Sequence, residues 1–188
     1  MMAAMMLPSI APVLLLYAAT VRGSEPDARA SSPTYALALG YLTMWALFSV
    51  GATVLQRVLT RALLLSSMMT LSSRAAAAAV MIGAGAYQLT PLKRSCLLAC
   101  QSPLTFLMNK WRTGVAGAFR MGVEHGTYCL GCCWALMLLL FVGGVMNILV
   151  IAALAAFVLA EKLGWLGPRG ARVTGVFLMA SGLWIALR

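Results

Sequence analysis

The stretch Tyr128-Cys129-Leu130-Gly131-Cys132-Cys133-Trp134-Ala135-Leu136-Met137 opens an apolar run that continues to Ala160 without one charged residue. As a single helix this run would be about 50 Å long, far more than the roughly 30 Å hydrocarbon core of a bilayer. Gly143-Gly144 and Asn147 offer the natural break. The run therefore reads as two spans, 126–143 and 146–161, joined by a very short turn.

The rest of the chain agrees with a membrane setting. Of 188 residues, 62% are hydrophobic and 10% are charged, and the mean hydropathy is +0.93. A soluble domain would carry about a quarter charged residues. The net charge of +10 comes from 14 Lys and Arg against 4 Asp and Glu. No basic stripe interleaved with aromatics accompanies it, so these cations read as orientation signals in loops and not as a nucleic-acid surface.

Taken outward from the central run, the hydropathy pattern predicts an all-α, polytopic transmembrane helix bundle. It forms one integral membrane domain over residues 1–188, with about six spans at 1–21, 35–56, 75–90, 126–143, 146–161 and 173–187. The apolar start at Met1 lacks the basic region of a secretory signal and reads as a retained membrane helix. Such an abrupt start would also fit a chain shortened at its front. Residues 22–33 and 164–172 read as polar loops. The 57–74 segment, with Arg57 and Arg61 one turn apart, fits an interfacial helix or an extension of the second span.

Two short helices, too short to span, are expected over 91–112. Thr90-Pro91 and Ser102-Pro103 each place a hydroxyl cap before a proline at the first helical position. In the third span a run of alanines suits close helix packing. Small residues at Gly114, Ala118, Gly122 and Gly126 recur at every fourth position, drawing a flat ridge that another backbone can approach. Ten of the fourteen cations fall in loops 22–34, 91–125 and 161–172. The positive-inside rule places those loops in the cytoplasm.

Against this apolar background the five cysteines carry the chemistry. A helix advances about 100° per residue. With Cys129 as zero, His125 falls near −40°, Cys132 near −60° and Cys133 near +40°, all on about one face. Cys96 and Cys100 have the i, i+4 spacing of a second helix. A single buried cysteine packs as a small hydrophobe; five at helical spacing point to metal. Thiolate, thioether and imidazole suit Cu(I) and Zn(II), and a chain with four acids is poor in ligands for Mg or Ca. The candidate metal ligands are Cys96, Cys100, Cys129, Cys132, Cys133 and His125, with copper favoured and zinc the alternative. One regular helix does not wrap a tetrahedral ion, so a second element is expected to complete the shell.

Other chemistries lack their residues. There is no Cys-x-x-Cys-His for haem attachment, no phosphate-cradling glycine loop, no His-Glu-x-x-His and no paired carboxylates.

The run Tyr87-Gln88-Leu89-Thr90-Pro91-Leu92-Lys93, then Cys96 and Cys100, Pro103, Trp111, Gly122, Gly126, Cys129-Leu130-Gly131-Cys132-Cys133-Trp134, Met146-Asn147 and Glu161-Lys162 resembles the central signature of one family. It is similar to the bacterial "predicted metal-binding integral membrane protein" family, whose biochemical function is unassigned. Ala4-Met5-Met6-Leu7-Pro8 is similar to that family's early Ala-Met-Met-x-Pro signature. The resemblance covers most of the chain and implies metal binding through Cys96, Cys100, Cys129, Cys132 and Cys133, in a bacterial inner membrane.

The leading expectation is a copper-handling membrane protein acting in acquisition, transfer or export. Its partners would be the lipid bilayer and another membrane or metal-carrying protein, with no nucleic acid. Two other readings stay open. Cys129-x-x-Cys132 is also the spacing of a thiol–disulfide oxidoreductase, and the Gly/Ala ridge would serve a scaffold subunit of a membrane complex.

Overall fold

The computed structural model describes residues 2–22, 27–61, 73–145, 147–165 and 167–187. Among them there is no strand. The helices are α1 (Met2–Arg22), α2 (Asp27–Arg61), α3 (Arg74–Gln88), α4 (Pro91–Gln101), α5 (Pro103–Lys110), α6 (Gly114–Leu138), α7 (Leu140–Gly143), α8 (Ile148–Lys162) and α9 (Gly167–Leu187). They form two compact units, one of residues 1–50 and 96–131, the other of residues 51–95 and 132–188.

In the first unit, α1 buries Met6, Ile10, Val13, Tyr17 and Val21, a stripe at helical spacing. The Tyr17 ring packs 5.2 Å from that of Trp111, just past α5. α2 buries Leu37, Tyr41 and Trp45, one turn apart. These residues face the small-residue ridge of α6. A Cβ at Gly122 would fall on the Leu37 carbonyl, one at Gly40 on the Phe119 carbonyl, and one at Gly126 would lie 2.9 Å from Met44 Cβ. Ala118, between Gly114 and Gly122, is fully buried. The ridge is thus filled by α2 at Gly122 and Gly126, as its spacing predicts, whereas Gly114 is exposed with no atom within 4 Å of an added Cβ. Gly40, on the opposite helix, completes the approach.

In the second unit, α3 packs along α9. A Cβ at Gly85 would lie 2.7 Å from the Gly175 carbonyl, and one at Gly182 would lie 3.0 Å from the Ala78 carbonyl. The close packing expected of the third span is present, and its partner is the last helix. The Thr90 hydroxyl accepts from the Lys93 N–H at 3.3 Å and caps α4, which bends 64° from α3. The break in the long apolar run falls where the glycines stand. Gly144 has φ +94°, a conformation open to glycine, and Asn147 caps α8 by accepting from the N–H groups of Leu149 (3.0 Å) and Val150 (3.4 Å).

Several element bounds differ from expectation. α2 begins at Asp27, so 27–34 is helix and not loop. It reaches at least Arg61, which makes 57–61 a helical extension, while 62–72 lies outside the described residues. α6 begins at Gly114, twelve residues before the expected span, and packs on α2 from Phe119 onward. α9 begins at Gly167, inside the expected loop. Among the described residues, four helical stretches are long and apolar enough to cross a membrane: Met5–Arg22, Ser32–Arg61, Gly114–Gly143 and Arg169–Leu187. The bent pair α3 and α4 would make a fifth. α8, at 15 residues, falls short of that length, so six spans are not all present at spanning length. Large apolar side chains lie exposed along these helices, among them Leu47, Val50 and Val54 on α2, Ile148 and Leu149 on α8, and Val176, Phe177 and Trp184 on α9.

Candidate metal-binding thiols

None of the five cysteines is in a disulfide. The helical wheel places three of them on one side of α6, and all three are buried: Cys129 and Cys133 are 1% exposed and Cys132 is 2% exposed.

Cys129 has the most fully defined surroundings. It belongs to the first unit, and its Sγ lies 3.1 Å from Tyr41 Oη and 3.9 Å from Ser9 Oγ. The Tyr41 hydroxyl donates to the Met6 carbonyl at 2.9 Å, and the Ser9 hydroxyl donates to the same carbonyl at 2.6 Å. The two hydroxyl oxygens are 3.1 Å apart. The sulfur is thus seated on a small polar knot supplied by α1 and α2. His125, one turn before Cys129, is also buried. Its ring stands edge-on to Phe106 at 5.0 Å and 6.0 Å from Tyr41. Its neighbour Glu124 turns instead to cations at the surface, with Arg112 at 3.2 Å and Lys110 at 3.6 Å.

Cys96 and Cys100 are half-buried on α4. Cys96 Sγ rests against Gly131, where an added Cβ would meet it at 2.8 Å. Gly131 is two residues beyond Cys129, which is about 200° around the helix. Cys96 therefore approaches a different side of α6 from the one that carries Cys129. Among the described residues, no group of three or more His, Cys, Asp or Glu is gathered as a ready metal shell.

In the second unit a buried ion pair joins α4 to α8. Lys93 Nζ reaches both carboxylate oxygens of Glu161, at 2.8 and 3.0 Å, and the two side chains are 1% and 3% exposed. The Gln88 amide and Cys132 also lie beside this carboxylate. Trp134 packs edge-on to Tyr87 at 5.1 Å and fixes this end of α6 against α3.

A family profile now accounts for nearly the whole chain: the PpoB2 family, described as a copper chaperone, matches residues 1–185. The chain belongs to the PpoB2 copper-chaperone family. No curated protein and no solved structure gives a significant match. Membership in PpoB2 agrees in kind with the metal-related resemblance read from the cysteine signature, and it favours copper over zinc as the metal concerned.

Two features of this PpoB2 chain escaped the sequence reading. Tyr41 and Ser9 gave no signal, because they lie 88 and 120 residues from Cys129 and resemble ordinary residues of apolar helices. Lys93 and Glu161 did leave a trace. Glu161 is one of only four acids in the chain and closes an otherwise apolar helix. A carboxylate in such a place calls for a cation, and Lys93 is the partner.

Proposed function

We propose that this PpoB2 protein is a membrane-embedded copper chaperone that takes up Cu(I) on cysteine sulfur and passes it to another protein. Membership of the copper-chaperone family carries this reading. Five cysteines outside any disulfide, in a chain with four acids, support it, since soft sulfur ligands select Cu(I) over hard cations. The exposed apolar faces of α2, α8 and α9 support a bilayer setting, with the six expected segments as its spanning or half-spanning elements. A bacterial inner membrane is the location proposed.

Cys129 with His125 in the first unit, and Cys132 with Cys133 in the second, are the buried donors proposed for the metal. Cys96 and Cys100, half-buried on α4, are the proposed exchange thiols. Copper is the cargo in this scheme. A chaperone must release its metal, and Cu(I) on few sulfur ligands can leave by stepwise exchange with an incoming thiolate. The recipient is therefore a protein that presents thiolate or thioether.

The deciding measurement is the metal content of detergent-purified protein, reconstituted with Cu(I) or Zn(II) and compared with a variant lacking all five cysteines. Stoichiometric copper that is lost in the variant is the expected result. Equal copper in both, or zinc retained in preference to copper, would overturn the reading.

A further inference from the structure

The polar knot around Cys129 ties α1 and α2 to α6 through two hydroxyls and one carbonyl. Tyr41 and Ser9 each own one hydroxyl hydrogen, and both hydroxyls donate to the carbonyl of Met6. Tyr41 Oη and Cys129 Sγ are 3.1 Å apart, a hydrogen bond in which either group can donate. Tyr41 is 0% exposed and Cys129 1% exposed, so water does not compete for either group. The Tyr41 ring is itself held between Trp45, at 6.4 Å, and His125, at 6.0 Å. The hydroxyl is in this way fixed from two sides before it reaches the sulfur. Phenylalanine would fill the same volume but would leave the Met6 carbonyl and the Cys129 sulfur without this hydroxyl.

We infer that Tyr41 is a positioning residue for Cys129, with Ser9 and the Met6 carbonyl as its seat. Its hydroxyl holds the sulfur in place in the metal-free protein; when Cu(I) arrives, the thiol proton passes to the ligand that the copper leaves, and the Tyr41 hydroxyl donates to the thiolate. The inference rests on the proposed role of Cys129 as a copper ligand, but the hydrogen bond itself can be tested without copper. Holding a ligand atom in place before the metal arrives removes an ordering cost from binding, which is how outer groups tune a metal site. Loss of an outer partner typically costs about 10- to 100-fold in metal affinity.

The test uses the full chain in detergent, as Tyr41→Phe and Ser9→Ala, each in the presence of Cys129 and with Cys129→Ser. The first readout is the infrared S–H stretching band of the metal-free protein, which lies in a window clear of other protein absorption. The component missing in Cys129→Ser should move to higher frequency in Tyr41→Phe, with the other thiol components unmoved. Ser9→Ala should move the same component less. The second readout is competition for Cu(I) against a chromophoric chelator. Tyr41→Phe should weaken binding about tenfold or more, and should have no effect once Cys129 is serine.

An unmoved Cys129 band, or a loss of copper affinity that persists in Cys129→Ser, would overturn the inference. A general disturbance of all five thiol components would overturn it equally, since that is the mark of a merely structural residue. If Cys129→Ser alone leaves copper binding unchanged, the assignment of Cys129 as a ligand fails, and the band shift still decides whether Tyr41 positions its sulfur.

Discussion

Lys93 Nζ stands 2.8 Å from Glu161 Oε2, and neither side chain is more than 3% exposed. The pair joins the capped start of α4 to the end of α8 within the second unit. A buried pair gains little over an apolar pair of the same shape, but removal of one partner strands a charge.

Glu161→Ala should therefore destabilise the second unit by about 3–5 kcal/mol, and Lys93→Met should do the same. The double change Lys93→Met/Glu161→Leu should recover most of that loss. Thermal melting of the detergent-solubilised variants would check it, and additive single effects in the double variant would refute the pairing.

The glycines of α3, α6 and α9 divide by what surrounds them. Gly122→Ala would drive a Cβ onto the Leu37 carbonyl, and Gly182→Ala would bring one to 3.0 Å from the Ala78 carbonyl. Both should lower the melting temperature. Gly83 has nothing within 4 Å of the same position, so Gly83→Ala should raise stability by about 0.5–1 kcal/mol through the chain entropy it removes.

Asn147 closes the start of α8 through its side-chain oxygen. Asn147→Ala should cost about 1 kcal/mol, and Asn147→Asp should retain most of the stability. Denaturant titration followed by helical circular dichroism is the appropriate measurement.

Burial sorts the five thiols. Cys96 and Cys100 are half-buried, whereas Cys129, Cys132 and Cys133 are buried. Under native conditions N-ethylmaleimide should label the first two well ahead of the other three, which should react only after denaturation. Mass spectrometry of timed digests reads this directly. Early labelling of Cys129 would contradict the packing of α1 and α2 against α6.

The sequence by itself determined the helical, apolar character of the chain, because these are properties of local composition and period. The Gly143-Gly144 and Asn147 break, the Thr90 cap and the ridge at Gly114, Ala118, Gly122 and Gly126 were legible for the same reason. Each depends on backbone sterics or on hydrogen bonds reaching only a few residues. The helix bounds were less legible. Nothing in residues 27–34 marks whether a polar segment stays helical, and the ridge spacing over 114–126 marked a helix without showing that it runs unbroken into the apolar span.

The surroundings of the cysteines belong to the tertiary structure. The i, i+3 and i+4 spacing of Cys129, Cys132 and Cys133 identifies a shared helix face, but not what lies opposite it. Only the fold brings Tyr41 and Ser9 to Cys129, turns Cys96 to Gly131, and joins Lys93 to Glu161 across 68 residues of chain. A helix repeats every few residues, so its own faces can be counted from sequence. The angle and rotation at which two helices meet come from the packing of whole surfaces, and no single residue carries them.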